Sequence, residues 1–358
     1  MSDQNIGSEL CGTPPAPPYV GERTDRAPSQ SDSRPVDGRR SPMPSLTVAL
    51  AVTATLFLSF ESVVIVRYLL NGPVISVDTS NRDFYWWSAR VVELLVLASV
   101  FGWIAYVLKE RRQVGRLGTD GLLIFGMLTA GFWDPVCIWF APAWMYSSNF
   151  VTLNDWFKHA PGVVNPDAGT MQWPVAIVLF GYPLWCVGFG VIVDLSMRHA
   201  VARWPKLPGG AILAIGYAIS VVITGVAYAL FKALRLMWAP GYDMGLPGHE
   251  LIVMALGGAV VFWAVGVVRH FRDDNGRTIV DRPKQPWMRL LVAAGLCQLI
   301  VFVSWAPSGP LGLFSVPYPA DMPKHLINNY CDLPGGPATS QYGPCPGSPG
   351  FKLPIAHR

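Results

Sequence analysis

Seven apolar runs divided by short polar stretches constrain this chain more than any other feature. They extend from about Thr47 to Leu70, Phe84 to Leu108, Thr119 to Phe140, Trp173 to Leu195, Ile212 to Phe231, Glu250 to Val268 and Leu290 to Ala306. Several reach the roughly 18 to 25 residues that a helix needs to cross a bilayer. The predicted fold class is therefore all-α, a polytopic membrane helical bundle of about seven transmembrane helices. Composition agrees: with 51% hydrophobic and only 14% charged residues among 358, the chain is poor material for a soluble surface.

Three regions follow. Residues 1–44 are rich in Pro, Ser, Gly and Asp without a periodic apolar face, and are expected to form a disordered cytoplasmic tail. Residues 45–306 form the transmembrane domain, and residues 307–358 a Pro/Gly-rich external tail. No cleavable signal peptide is read, because the first forty residues are polar. The tail and the segments 109–116, 198–206 and 269–289 hold 18 of the 27 Lys and Arg residues. The positive-inside preference places these segments in the cytoplasm of a cell membrane, so the N-terminus is expected inside and the C-terminus outside. The linker at 141–172 then falls outside. Its length and aromatic content predict a lid or short interfacial helix on or partly in the membrane.

The formal charge of +4 does not imply nucleic acid, since the basic residues cluster between apolar runs rather than among surface aromatics. The six Cys show no CxxC or Cys/His spacing, so no metal is implied. No nucleotide fingerprint, P-loop, HExxH or nucleophile elbow is present, and no cofactor is expected. Cys331 and Cys345, in the tail expected outside, are candidates for a small disulfide loop.

The densest chemistry lies between Gly131 and Trp173. Asp134 sits inside an apolar run directly before Pro135, whose missing N–H frees a carbonyl one turn back and kinks or breaks the helix. The aromatics Trp133, Trp139, Trp144 and Trp156 surround it in sequence, with Tyr146, Asn149, Asn154, Asp155, His159 and Asp167 in the linker. Charges inside other runs need partners as well. Glu61 and Arg67 are six residues apart and share no face. Arg90 and Glu93 are three apart and read equally as a structural ion pair or as part of a polar cavity. Asp194, next to Arg198 and His199, reads as structural. Phe140-Ala-Pro, Trp238-Ala-Pro and Trp305-Ala-Pro each end an outward-running span, and read as headgroup anchors followed by a helix stop.

The succession Phe132-Trp-Asp-Pro, Trp139-Phe-x-Pro, Tyr146-Ser-Ser-Asn, Trp156, Pro161-Gly and Asn165-Pro resembles the AveC-like spirocyclase family of actinobacterial membrane proteins. The similarity is clear over residues 130–185 and weaker elsewhere; Ser148 and the Val163-Val-Asn-Pro-Asp stretch depart from it. The resemblance implies a bacterial integral membrane protein, in a family whose best-known member closes a dihydroxy-ketone polyketide into a spiroketal and can also dehydrate it. The partners expected are a hydrophobic small molecule, polyketide or lipid-like, and membrane lipids.

Ketal formation needs a proton donor, a proton acceptor and stabilisation of an oxocarbenium ion. Asp134 is the candidate donor, Asp155 or His159 the acceptor, and Tyr146 and Asn149 orient by hydrogen bonds. Trp133, Trp139, Trp144 and Trp156 offer faces to a cation or substrate, and Glu93 and Glu61 are further substrate-binding candidates. Two readings stand beside this one: a lipid or polyketide transporter or scaffold, and an Asp134 that merely caps a broken helix.

Overall fold

The computed structural model describes residues 44–71, 75–77, 82–140, 142–165, 168, 171–242, 248–312, 324–327, 339–340 and 343–344. The N-terminal tail, Asp167, Cys331 and Cys345 lie outside the described residues, and the expectations about them with them. Among the described residues, seven helical spans are long and apolar enough to cross a membrane: 46–70, 84–114, 119–138, 176–203, 209–233, 249–270 and 286–311. The chain is a polytopic membrane helical bundle.

The long α-helices are α1 (Pro44–Leu70), α2 (Phe84–Val114), α3 (Thr119–Ala130), α4 (Gly188–Arg203), α5 (Gly209–Ala233), α6 (His249–His270) and α7 (Pro286–Trp305). The third span is central, with 83% of its apolar window buried against 11% for α2, which lies at the edge. Helix α7 packs on both α1 and α3. Close approach there depends on small residues, as is usual where no hydrophobic gradient drives helices together. A Cβ on Gly295 would lie 2.0 Å from the Leu50 carbonyl oxygen of α1.

Two spans are not plain α-helix, and both irregular stretches lie toward the end of the bundle that carries the long linker. The third span tightens into a 3-10 helix over Gly131–Ile138. The fourth enters the bundle through two π-helical segments, Ala176–Gly181 and Pro183–Val187, before α4 begins. The fourth apolar run was expected to be helical from Trp173. Instead, Gln172–Pro174 is a strand, because its backbone is claimed by the linker.

That linker is not an interfacial helix but a small β-structure packed on the bundle end. Strands β1 (Ile75–Val77), β3 (Val151–Asn154) and β4 (Gln172–Pro174) form an antiparallel sheet in the order β1-β3-β4, with Leu153 facing Ile75 on one side and Trp173 on the other. Strand β2 (Met145–Tyr146) pairs with β5 (Met237–Trp238) from the loop after α5. Trp144, Phe150, Phe157 and Trp173 are each under 2% exposed. Their rings therefore fill a protein core and do not anchor at headgroups.

Polar residues close the opposite end. Asp194 on α4 accepts two hydrogen bonds from Arg198, at 2.9 and 2.8 Å, and lies 3.3 Å from His270 and 3.6 Å from Arg269 of α6. Arg269 also pairs with Asp120 of α3, which accepts from the Tyr106 hydroxyl of α2 at 2.7 Å. Four helices are thus tied by one charge cluster.

Candidate active site

Asp134 is placed by a helix that changes form and by a linker that repairs the change. In a 3-10 turn the Pro135 nitrogen would serve the Phe132 carbonyl, and Pro has no N–H to give. The Trp156 indole N–H donates to that oxygen at 3.1 Å. At the end of the 3-10 segment, Asn165 Nδ2 donates to the Ile138 carbonyl at 3.0 Å, and the Val164 and Asn165 backbone N–H groups donate to the Trp139 carbonyl. Irregular backbone inside a membrane protein persists only when its polar groups are satisfied in this way.

The facing wall is the π-helical entry of the fourth span. A Cβ on Gly131 would meet the Val178 carbonyl oxygen at 2.2 Å, so only glycine lets the two irregular segments touch. Tyr182 sits between the two π segments, and its hydroxyl donates to Asp134 Oδ1 at 2.7 Å. The Tyr146 hydroxyl of β2 approaches the same oxygen at 3.5 Å. Trp305, at the end of α7, donates its indole N–H to the Tyr182 oxygen at 3.0 Å. Asp134 is 2% exposed, and its Oδ2 has no hydrogen-bond partner among the described residues. No cation pairs with it there either. π-Helical turns in otherwise α-helical spans are frequent at functional sites.

Asp134, Tyr146 and Tyr182 border a cavity of about 140 Å³. The rest of its wall is aromatic and aliphatic, including Trp144, Trp185, Phe231 and Trp305, with Tyr228 and Thr224 of α5. Trp144 and Trp305 meet edge to face, with centroids 5.0 Å apart. An apolar cavity of roughly 150 Å³ accepts a benzene-sized molecule. This space therefore suits one ring of a substrate, not a whole polyketide.

The other sequence candidates are spread around this cavity rather than gathered in it. Asp155 is buried, accepts from the Phe157 N–H at 2.9 Å, and lies beside the Trp173 indole. Burial raises its carboxyl well above the usual range, and the Phe157 N–H offsets this only in part. It closes the turn after β3. His159 is half-buried against Tyr68 at 6.0 Å, away from the cavity lining. Desolvation, then Lys158 and Arg67, lower its pKa. Tyr146 is raised far above 10 by burial, with the negative charge of Asp134 adding to it.

Asn149 does not reach the cavity lining. Its carbonyl accepts from Arg90, and both ends of its buried side-chain amide are without partners among the described residues. Glu93 accepts from the Val151 N–H at 2.6 Å and pairs with Arg90 at 3.0 Å, so this ion pair of α2 pins the start of β3. Trp133 stacks on Phe60 at 5.5 Å and donates to Gln298. Glu61 is buried beside the same two groups. Trp139 donates to the Gly162 carbonyl at 2.6 Å. Of the candidate tryptophans, only Trp144 lines the cavity.

Tyr182, Tyr228 and Trp305 were missed. Tyr182 precedes Pro183 inside an apolar run, the same irregularity that marks Asp134-Pro135, and that signal was available. The sequence pattern predicts Trp305, like Phe140 and Trp238, to be a headgroup anchor. Only Phe140 is exposed; Trp238 lies in β5 and Trp305 turns to the cavity. Among the described residues no cluster of His, Cys, Asp or Glu could hold a metal ion.

Fold and site together define a polytopic membrane bundle with a carboxyl-bearing apolar cavity beneath its β-structured end. Residues 114–241 match the family model described as Spirocyclase AveC-like. That stretch runs from the end of α2 through Asp134, the linker, Tyr182 and Tyr228 to β5. No curated protein matches the chain, and no solved structure does.

Proposed function

We propose that this protein is an AveC-like membrane enzyme that closes a hydrophobic hydroxy-ketone, polyketide or lipid-like, into a spiroketal-type ring, with Asp134 as proton donor. The observation that carries this reading is the setting of Asp134: a packed carboxyl on an apolar cavity, with two phenols on Oδ1 and no partner among the described residues on Oδ2. A hemiketal hydroxyl leaves as water only when an acid protonates it. Oδ2 supplies that proton. The charge left on Asp134 forms where Tyr146 and Tyr182 already donate to Oδ1, so little reorganisation is needed.

The oxocarbenium ion meets the rings of Trp144 and Trp305. Attack by the second hydroxyl gives the ketal, whereas proton loss from the adjacent carbon gives the dehydrated enol ether. Both products thus follow from one cation. A substrate longer than the cavity would extend past Phe189 and Phe231, which are half-buried at its edge.

The test uses the purified full chain in lipid vesicles with a short dihydroxy-ketone, a ketone flanked by two three-carbon chains ending in hydroxyls. Spiroketal formation above the rate in empty vesicles is the expected result. Movement of the ketone across the bilayer without ring closure would favour a transporter.

A further inference from the structure

The cavity has a second polar arm that the sequence did not single out. Tyr228 on α5 lines the cavity. Its hydroxyl donates to Oε1 of Glu250, in the first turn of α6. The same oxygen accepts from the Ala239 N–H at 3.1 Å, and Oε2 is paired with Lys232. Glu250 is 3% exposed, whereas the Lys232 side chain is 52% exposed. A buried carboxylate therefore connects a cavity phenol at one end with an exposed ammonium in the last turn of α5 at the other.

The two carboxyl groups are dressed in opposite ways. Asp134 receives only neutral phenols and has no cation among the described residues, while Glu250 is held by a lysine. Where two carboxyls serve one reaction, such a difference in surroundings divides the roles of donor and acceptor. We infer that Tyr228 is the catalytic group that takes the proton of the attacking hydroxyl, and that Glu250 and Lys232 are positioning residues that carry this proton to the aqueous surface. The inference rests on the cyclisation reading above, and it fills the acceptor role for which Asp155 and His159 are not at the cavity.

The step balances. As the substrate hydroxyl oxygen bonds to the oxocarbenium carbon, its proton passes to the Tyr228 oxygen while the Tyr228 proton passes to Glu250 Oε1. Asp134 has by then given its proton to the departing water. Glu250 loses its proton to solvent at the Lys232 end, Asp134 regains one, and the net products are the ketal and one water.

A purely structural role is the rival, because the same bonds fasten α5 to α6. Loss of a fastening moves thermal stability; it does not change how many protons move in the rate-limiting step. With the short dihydroxy-ketone as probe and the full chain in vesicles, Tyr228→Phe and Glu250→Gln are expected to lower kcat about 100-fold with KM little changed, and Glu250→Asp to recover part of the loss. The wild-type rate in mixtures of light and heavy water needs no variant, and it is expected to bow downward with deuterium fraction because two protons move together. A linear dependence, or a Tyr228→Phe protein at the wild-type rate, overturns the relay while leaving the cyclase reading standing. No ring closure by the wild-type protein overturns both.

Discussion

At the scale of the residue, Asp134 and Asp155 show why two buried carboxyls need not share a role. Each has one oxygen without a partner among the described residues, but Asp134 borders the cavity and receives two phenols, whereas Asp155 lies off the cavity lining and accepts from the Phe157 N–H at 2.9 Å. Tyr182→Phe removes the shorter phenolic bond to Asp134 and the oxygen that Trp305 addresses. We expect turnover to fall at least about tenfold, as for loss of one donor to a developing charge, with the folded yield kept. A full-rate Tyr182→Phe protein would show that Asp134 needs no such partner.

Asp155→Asn keeps an acceptor for Phe157 and removes the cost of burying a charge. Because the folded carboxyl is raised, the native state holds a proton that the unfolded chain releases above about pH 4, so Asp155 destabilises the wild type progressively as pH rises from there. Melting of the Asn variant should therefore gain on the wild type between pH 4 and pH 7, with turnover retained. A widening loss of stability over that range would contradict the assignment. The helix break around Asp134 was legible in the sequence because Asp-Pro is conspicuous in an apolar run, and the 3-10 segment lies there. Asp155 and His159 lie off the cavity lining; proximity along an aromatic linker says nothing of which side of a strand faces the cavity.

At the scale of the element, the linker and the irregular helices are one construction. The Trp156 indole occupies the carbonyl left by Pro135, so Trp156→Phe should keep the packing and leave the Phe132 oxygen unpaired. A loss of about 1–3 kcal/mol in stability is expected, measurable by unfolding in detergent, while an unchanged value would mean water replaces the indole. Pro135 and Trp156 were both visible in the sequence, but their meeting required the chain to return over twenty residues. The number and position of the seven spans were legible, since apolar length decides them, but the helices at 84–114 and 176–203 run on past Leu108 and Leu195 into the polar segments that follow. The strand at Gln172–Pro174 was not, because its pairing partner on β3 is set by tertiary contact and overrides the local apolar pattern. The π-helical entry has no simple sequence period to betray it.

At the scale of the whole molecule, the cavity and the β-structure share one end, and the charge cluster of Asp120, Asp194, Arg269 and His270 marks the other. The basic loops lie on the latter side, so the site is expected to face away from the cytoplasm. Reporter fusions after Arg112 and Asn165 should report opposite sides of the membrane, and the same side for both would contradict this arrangement. The claim on which the functional account rests is that the Asp134 proton drives ring closure. The direct measurement compares wild-type and Asp134→Asn proteins, matched for folded yield in lipid vesicles, in their rates of converting the short dihydroxy-ketone to its spiroketal. The account predicts a loss of at least about 100-fold in kcat for the folded Asn variant. An Asn variant that folds and turns over at the wild-type rate would contradict it.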